Sequence, residues 1–255
     1  MENTLRLMTY NILRDGRERE EAIVEVIRAH EPDVVVLQEI HTEAFLQRLA
    51  TTLNMEAFLV NQRWPFRVGA LSRFPIQHTE TVPLWLIGGR ALRIRVAVTD
   101  EINVTIYGVH LIGLYMWFSE AIRAAQLSQL IRFLVDNETA LHVVAGDFNT
   151  FAPGDRVALS DAPRWVRAQT WWQFGAKARW ALKKMADAGY TDCYRALYPA
   201  EDGFTLPSHQ PLVRLDYIYA NPGFRPYLQA CDVVTTPEVV QRASDHLPVV
   251  ATFTF

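Results

Sequence analysis

Leu141-His142-Val143-Val144-Ala145-Gly146-Asp147-Phe148-Asn149 reads as a strand that runs into a polar turn. Its apolar residues are nearly continuous rather than alternating, which predicts burial on both faces, as in a sheet covered by helices. Gly, Asp and Asn then supply turn chemistry, because Asp and Asn side chains bond their own backbone. The same sequence of events recurs along the chain, at Tyr10-Asn11, Gln38-Glu39, His110-Leu111, Asp216-Tyr217 and Ser244-Asp245-His246. Polar residues at successive strand ends are how a layered α/β protein gathers distant groups into one pocket.

Working outward, strands are expected at Leu5–Tyr10, Val34–Leu37, Val68–Ser72, Ala91–Val98, Val104–Val109, Leu141–Ala145, Leu215–Tyr219 and Pro248–Phe253. Amphipathic helices are expected between them. Glu18–His30 places Ala22, Ile23, Val26 and Ile27 on one stripe, and Pro32 stops it. Thr42–Leu53 and Ser119–Asp136 read the same way, and Gly189 closes a helix that begins near Lys177. Strands alternate with helices early and cluster in the middle and at the end, which fits a mixed-sheet α/β sandwich better than a barrel. No linker or repeat interrupts the 255 residues, so a single domain spanning 1–255 is expected.

Composition narrows the classes. Half of the residues are hydrophobic and 21% are charged, as in a soluble globular core. The net charge of −3 weighs modestly against a large nucleic-acid surface, where counterion release by basic residues supplies most of the affinity. Cys193 and Cys231 match no zinc spacing, and their pairing stays open. The first residues show no charged-then-apolar leader, and the longest apolar run, Leu111 to Phe118, is too short for a bilayer. A cytoplasmic monomer is the expectation.

One segment stands apart. Residues 152–184 hold Trp165, Trp171, Trp172 and Trp180 among Arg156, Arg164, Arg167, Lys177, Arg179, Lys183 and Lys184. Three readings remain open for this insertion: tryptophans packed on the core, a peripheral lipid-interface patch, or a surface that stacks on and neutralises nucleic acid.

Taken singly, each polar signature has a bland explanation. Asp147 and Asn149 suit an Asx turn, and Asp216 suits a strand cap. Arg90 and Arg93, on the strand before that of His110, suit a solvated or structural role better than a place facing the pocket. Taken jointly, they form a carboxylate-rich set with two imidazoles, which is what metal-assisted phosphate chemistry requires. Glu39, Asp147 and Asp245, with Asn11 as a neutral partner, are hard oxygen ligands suited to Mg²⁺ or Mn²⁺. Asp216 is available to orient His246.

In order and wording the signatures resemble the endonuclease/exonuclease/phosphatase superfamily, whose members include pancreatic-type deoxyribonuclease, abasic endonucleases, sphingomyelinases and deadenylases. Met8-Thr9-Tyr10-Asn11 is similar to that family's opening strand, Leu37-Gln38-Glu39 to its metal-binding Gln-Glu, and Gly69 to Ile76 to its Ser-Arg-x-Pro-Ile turn. Val109-His110-Leu111 resembles its Thr-His-Leu, with Val where Thr is usual. Gly146-Asp147-Phe148-Asn149, Arg214 to Ile218 and Ser244 to Val249 match closely. The resemblance implies a DNase I-like fold, a four-layer α/β sandwich of two packed mixed β-sheets flanked by helices. It also implies site roles. Glu39 would be the principal metal ligand, with Asn11 beside it and Asp245 able to hold a metal. Asp147 would orient or deprotonate the attacking water, and Asn149 would position the water or the phosphate. His246, held by Asp216, would be a protonated donor to the phosphorane, and His110 would contact the phosphate or assist the leaving group.

The branch is less sharply marked. Abasic endonucleases of the family use a Tyr-centred signature in place of His-Leu, so His110 argues against them. The pancreatic-type enzyme pairs its histidine with a glutamate, whereas Asn61 to Ser72 contains no acidic residue. The wording comes nearest to the sphingomyelinase-like and general phosphodiesterase branch. The expectation is therefore a divalent-metal-dependent phosphodiesterase, with a lipid headgroup or other small phosphoester slightly favoured over DNA or RNA.

Overall fold

The structure, a computed structural model, describes residues 3–61, 67–84, 89–113, 118–138, 140–158, 160 and 179–255. Among the described residues, twelve strands build two six-stranded sheets. In chain order the elements are β1 (Thr4–Asn11), α1 (Glu20–His30), β2 (Val34–Ile40), α2 (Glu43–Leu53), β3 (Glu56–Leu59), β4 (Arg67–Ser72), β5 (Ile76–Pro83), β6 (Arg90–Ala97) and β7 (Asn103–His110). Then follow α3 (Ser119–Asn137), β8 (His142–Asp147), α4 (Trp180–Asp187), β9 (Thr191–Asp192), α5 (Cys193–Leu197), β10 (Asp216–Ala220), β11 (Leu228–Val233), α6 (Val240–Ala243) and β12 (Val249–Thr254).

The first sheet has the order β11-β12-β1-β2-β4-β3 and the second β5-β6-β7-β8-β10-β9. Each is mixed, with one parallel pair, β1 with β2 and β7 with β8, among antiparallel neighbours. Leu7, Val34, Val36, Ile94, Ile106, Val143 and Ala251 belong to the apolar layer between the sheets. The layer is thin at Gly108, where a Cβ would lie 2.8 Å from Val36 and 2.9 Å from Val68.

Helices cover both outer faces. Ile23, Val26 and Ile27 of α1 and Phe45, Leu46 and Leu49 of α2 pack on the first sheet. Leu127, Leu130 and Leu134 of α3 and Leu182 and Met185 of α4 pack on the second. Helix–sheet–sheet–helix is the four-layer sandwich that the motifs implied. Local chemistry sets the helix ends. Thr42 caps α2 by accepting the Phe45 N–H at 3.3 Å. Glu31 ends α1 in the left-handed region (φ 42°), because Pro32 forbids another helical residue before it.

All eight expected strands are present, with ends shifted by no more than three residues. β3, β5, β9 and β11 were not anticipated. All four are edge strands, and all are short or polar. Cys193 and Cys231 are both free thiols, fully buried, and burial pushes each well up from its usual range. Among the described residues no helix is long and apolar enough to cross a membrane.

Candidate active site

The second sheet aligns three site residues in one row. Parallel pairing of β7 with β8 sets His110 beside Asp147, and antiparallel pairing of β8 with β10 sets Asp216 on the other side of Asp147. Gly146 makes this row possible, because a methyl group there would collide with the Val109 carbonyl of the neighbouring strand.

Asp147 is 1% exposed and is the centre of the site. Its Oδ1 accepts the Asn149 backbone N–H at 2.8 Å, the Asx arrangement expected of Asp-Phe-Asn. Its Oδ2 is the focus of four side chains from four chain segments. The amide nitrogens of Asn11 and Asn149 donate to it at 3.0 and 3.1 Å. Nε2 of His110 lies 3.6 Å from it and Nε2 of His246 lies 3.9 Å from it. The two imidazole distances exceed a hydrogen bond, so those contacts are electrostatic. Asn149, at φ 52°, also donates to the Leu111 carbonyl at 3.0 Å, tying the ends of β7 and β8 together.

His246 is fixed from behind. Its Nδ1 meets Asp216 Oδ2 at 2.8 Å, which leaves Nε2 as the nitrogen turned toward Asp147. Burial opposes charge on this imidazole, but Asp216, Asp147 and Asp245 outweigh it and raise its pKa to about 10. Burial also pushes the Asp216 carboxyl up against the pull of His246. Of the two, the imidazole, with three carboxylates around it, keeps the proton.

The first sheet supplies the other wall. Asn11 ends β1 opposite Gln38 of β2. The β2–β4 register shifts between Leu37 and Ile40, and Glu39 takes φ 66°, which swings its carboxylate out of the strand repeat. Asn11 Nδ2 bridges Asp147 and Glu39, at 3.0 and 3.4 Å, while its Oδ1 accepts the Leu13 N–H at 3.1 Å. Leu13, Arg14, Asp15 and Gly16 are all left-handed. Such a run is unfavourable for L-residues, and its hydrogen bonds hold it against Glu39. The Arg14 N–H donates to Glu39 Oε2 at 3.1 Å, and the Asp15 carboxylate accepts from His41 N–H at 2.6 Å and the Thr42 hydroxyl at 2.8 Å. Asp245 is half-buried beside them. Ser244 anchors its loop by donating to the Asn11 carbonyl at 2.6 Å.

All eight candidate residues thus lie on the strand ends and loops around Asp147. A buried clamp behind them was not anticipated. Arg214 is 1% exposed and forks onto two carboxylates, Asp155 at 2.9 and 3.0 Å and Asp192 at 2.6 and 3.0 Å. Its guanidinium sits 4.4 Å from the Tyr217 ring, and the Tyr217 hydroxyl donates to Asp155 at 3.0 Å and receives the Ala152 N–H at 3.0 Å. The clamp ties the loop after Asn149 to both sides of Asp216. Its only signal in the sequence was Arg214 and Tyr217 flanking Leu215-Asp216.

Arg93 is structural, paired with Glu80 at 2.8 Å and with buried Glu138 at 3.0 Å. Trp165, Trp171 and Trp172, with Arg164, Arg167 and Lys177, fall outside the described residues. Of the insertion's four tryptophans only Trp180 is described, and it is 53% exposed.

The model of the Endonuclease/Exonuclease/phosphatase family matches residues 8–246. The chain belongs to that family. The family comprises hydrolytic phosphoesterases and nucleases and is typically divalent-metal dependent, and Asp147, Asp216 and His246 form a cluster of metal-competent groups here. The fold is similar to that of an AP endonuclease from Archaeoglobus fulgidus (TM-score 0.79, 19% identity, 98% of this chain and 99% of that one). It is also similar to the 3'-5' exonuclease NExo from Neisseria meningitidis (TM-score 0.76, 19% identity, 98% and 100%). The human Nocturnin catalytic domain shares it too (TM-score 0.72, 20% identity, 100% and 96%). At such identities the likeness concerns the fold. No curated protein sequence matches the chain.

Proposed function

We propose that this family member hydrolyses a phosphodiester with the help of Mg²⁺ or Mn²⁺, by in-line attack of a water that Asp147 activates. The observation that carries this reading is the convergence of two imidazoles and two carboxamides on one oxygen, Asp147 Oδ2. Asp147 accepts the proton of the water as its oxygen bonds to phosphorus, and Asn149 orients the water or the phosphate. His246, kept cationic by Asp216, donates toward the charge that builds on the phosphoryl oxygens. Preorganised donors of this kind are usually the largest catalytic contribution. His110, across Asp147 from Asp216, contacts the phosphate or assists the departing oxygen.

The donor set suits a hard cation. Glu39 and Asp147 share one amide donor, Asn11, so two carboxylates lie side by side with only a neutral group between them. Mg²⁺ binds through one or two carboxylates and keeps several waters. Glu39 is the principal ligand in this reading. Asn11, whose nitrogen faces both carboxylates, would lie beside the ion and steady Glu39, and Asp245 would be a further oxygen donor. When bound, the ion supplies Lewis-acid stabilisation of the phosphoryl and leaving oxygens. The Asp147–Asp216–His246 cluster suits catalysis better than metal binding, because the imidazole holds a proton and its Nδ1 is engaged by Asp216.

For the substrate, a lipid headgroup or other small phosphoester leads, on the net charge of −3 and the tryptophan-rich insertion. A nuclease is the second reading, favoured by neighbours of the same fold, one of them bound to a product DNA hairpin. The test is a screen of native protein and Asp147→Ala with Mg²⁺, Mn²⁺ or chelator. Its substrates are bis-p-nitrophenyl phosphate, sphingomyelin vesicles, phosphoinositides, and single-stranded and duplex nucleic acid. Turnover lost in the variant and with chelator is expected. Equal turnover by Asp147→Ala would refute the role of Asp147, and nucleic acid as the only substrate would replace the lipid reading.

A further inference from the structure

Beside the site and apart from the Arg214 clamp, a second well-connected buried carboxylate is Glu120, in the first turn of α3 and 3% exposed. Its Oε2 accepts the Thr150 hydroxyl at 2.6 Å and Arg123 Nε at 3.2 Å, and its Oε1 accepts the Ala181 N–H at 2.9 Å. Each partner belongs to a segment that matters to the site. Thr150 follows Asn149 directly. Arg123 donates to the Ile112 carbonyl at 3.0 Å, two residues beyond His110, and Gln126, one turn further along α3, accepts the Ile112 N–H at 3.4 Å. Ala181 lies in the first turn of α4, packed against the core.

We propose that Glu120 is a positioning residue that locks the Asn149 loop and the His110 loop into one rigid unit. The proposal rests on the hydrolytic reading above. Asn149 is itself the bridge between those loops, through Leu111 on one side and Asp147 on the other, at 3.0 and 3.1 Å. Glu120 grips both flanks of that bridge, holding Thr150 directly and Ile112 through Arg123. A buried carboxylate is a poor choice if only stability were at stake, since an apolar replacement of a buried ion pair is often neutral or better. What the carboxylate adds is direction. Its two oxygens accept three donors from three segments, which apolar packing could not orient. The third donor, at Ala181, makes the start of α4 part of the same unit.

Without the Thr150 hydroxyl bond, the loop loses its restraint one residue from Asn149. A misplacement of ~1 Å at a positioning group costs on the order of 10²-fold in rate. The experiment uses Thr150→Val, which keeps the shape and removes the donor, Thr150→Ser, which keeps the donor, and Glu120→Gln. Steady-state kinetics on bis-p-nitrophenyl phosphate with Mg²⁺ are paired with thermal unfolding of each variant. Thr150→Val should lower kcat by roughly 10- to 100-fold with KM changed less than about threefold, as expected for lost orientation. Thr150→Ser should restore kcat to within about threefold of native, and Val at position 150 should add little further loss once Glu120 is Gln. Native kcat in a folded Thr150→Val protein would overturn the proposal. So would equal losses in the Val and Ser variants, since that reports packing rather than the hydroxyl bond. If Glu120→Gln fails to fold, the Val–Ser contrast alone decides. Native protein inactive on every phosphoester would remove the hydrolytic reading itself, which is a different failure from an active enzyme indifferent to Thr150.

Discussion

Removing Arg214 is a severe perturbation that substitutes none of the side chains around Asp147. Its guanidinium is 1% exposed and makes four hydrogen bonds, two to Asp155 and two to Asp192, over the face of Tyr217. Arg214→Met keeps most of the volume but leaves Asp155, itself 3% exposed, and the less buried Asp192 without their shared cation. Asp155 retains Arg195, 3.0 Å away and partly exposed, so the loss is not total. Breaking a buried pair from one side costs about 3–5 kcal/mol. For a chain of this size each kcal/mol shifts Tm by ~2–4 °C, so a fall of roughly 6–20 °C is expected. Scanning calorimetry and urea unfolding at pH 7.5 measure it. Asp155→Asn in the Arg214→Met background should recover part of the loss, because it removes one stranded charge. A Tm within about 2 °C of native for Arg214→Met, with full activity, would show that the clamp neither stabilises the fold nor holds the Asp216 strand.

Three further outcomes are expected. Asp216→Asn removes the largest charge favouring the His246 proton. It should lower kcat on order of 10²-fold or more, with the fall in activity on raising pH moved to lower pH, read from pH–rate profiles. Gly146→Ala places a methyl against the Val109 carbonyl, so soluble yield and Tm should drop sharply, and Asp147 chemistry with them. His142, hydrogen-bonded to Tyr190 at 2.7 Å, has its pKa lowered by burial from the ordinary 6.5. The unfolded chain therefore takes a proton that the folded one refuses. This contribution is fully present above pH 6.5 and is lost as pH falls toward the folded pKa, and a flatter urea midpoint between pH 7.5 and 5.5 in His142→Gln would show it.

The strands that matter to the site were legible because they are buried on both faces and therefore read as unbroken apolar runs, as in Val34–Leu37 and Val104–Val109. β5, with Gln77, His78, Thr79 and Glu80, has no such run, because an edge strand needs only one apolar face. The residues around Asp147 were legible for a related reason, since each sits where an apolar run ends. The geometry that gives them roles was not. The swing of Glu39 depends on a bulge that no local residue announces, and the Asp155–Arg214–Asp192 clamp joins residues 59 and 22 positions apart. Between Asn61 and Ser72 the sequence offered no carboxylate to accompany His110. The structure brings Asp147 to it from the adjoining strand instead, through a register that only pairing reveals.

That β1 lies between β12 and β2, with Thr4 opposite Thr254, bears on how the molecule is made. During synthesis the strand carrying Asn11 is made long before its antiparallel neighbour β12. Until then one apolar edge of the first sheet is open to the wrong partners. The segment just before β12 carries Asp245 and His246, so the first sheet gains that strand and the His246 imidazole together. The cluster around Asp147 is therefore complete only once β12 has paired with β1.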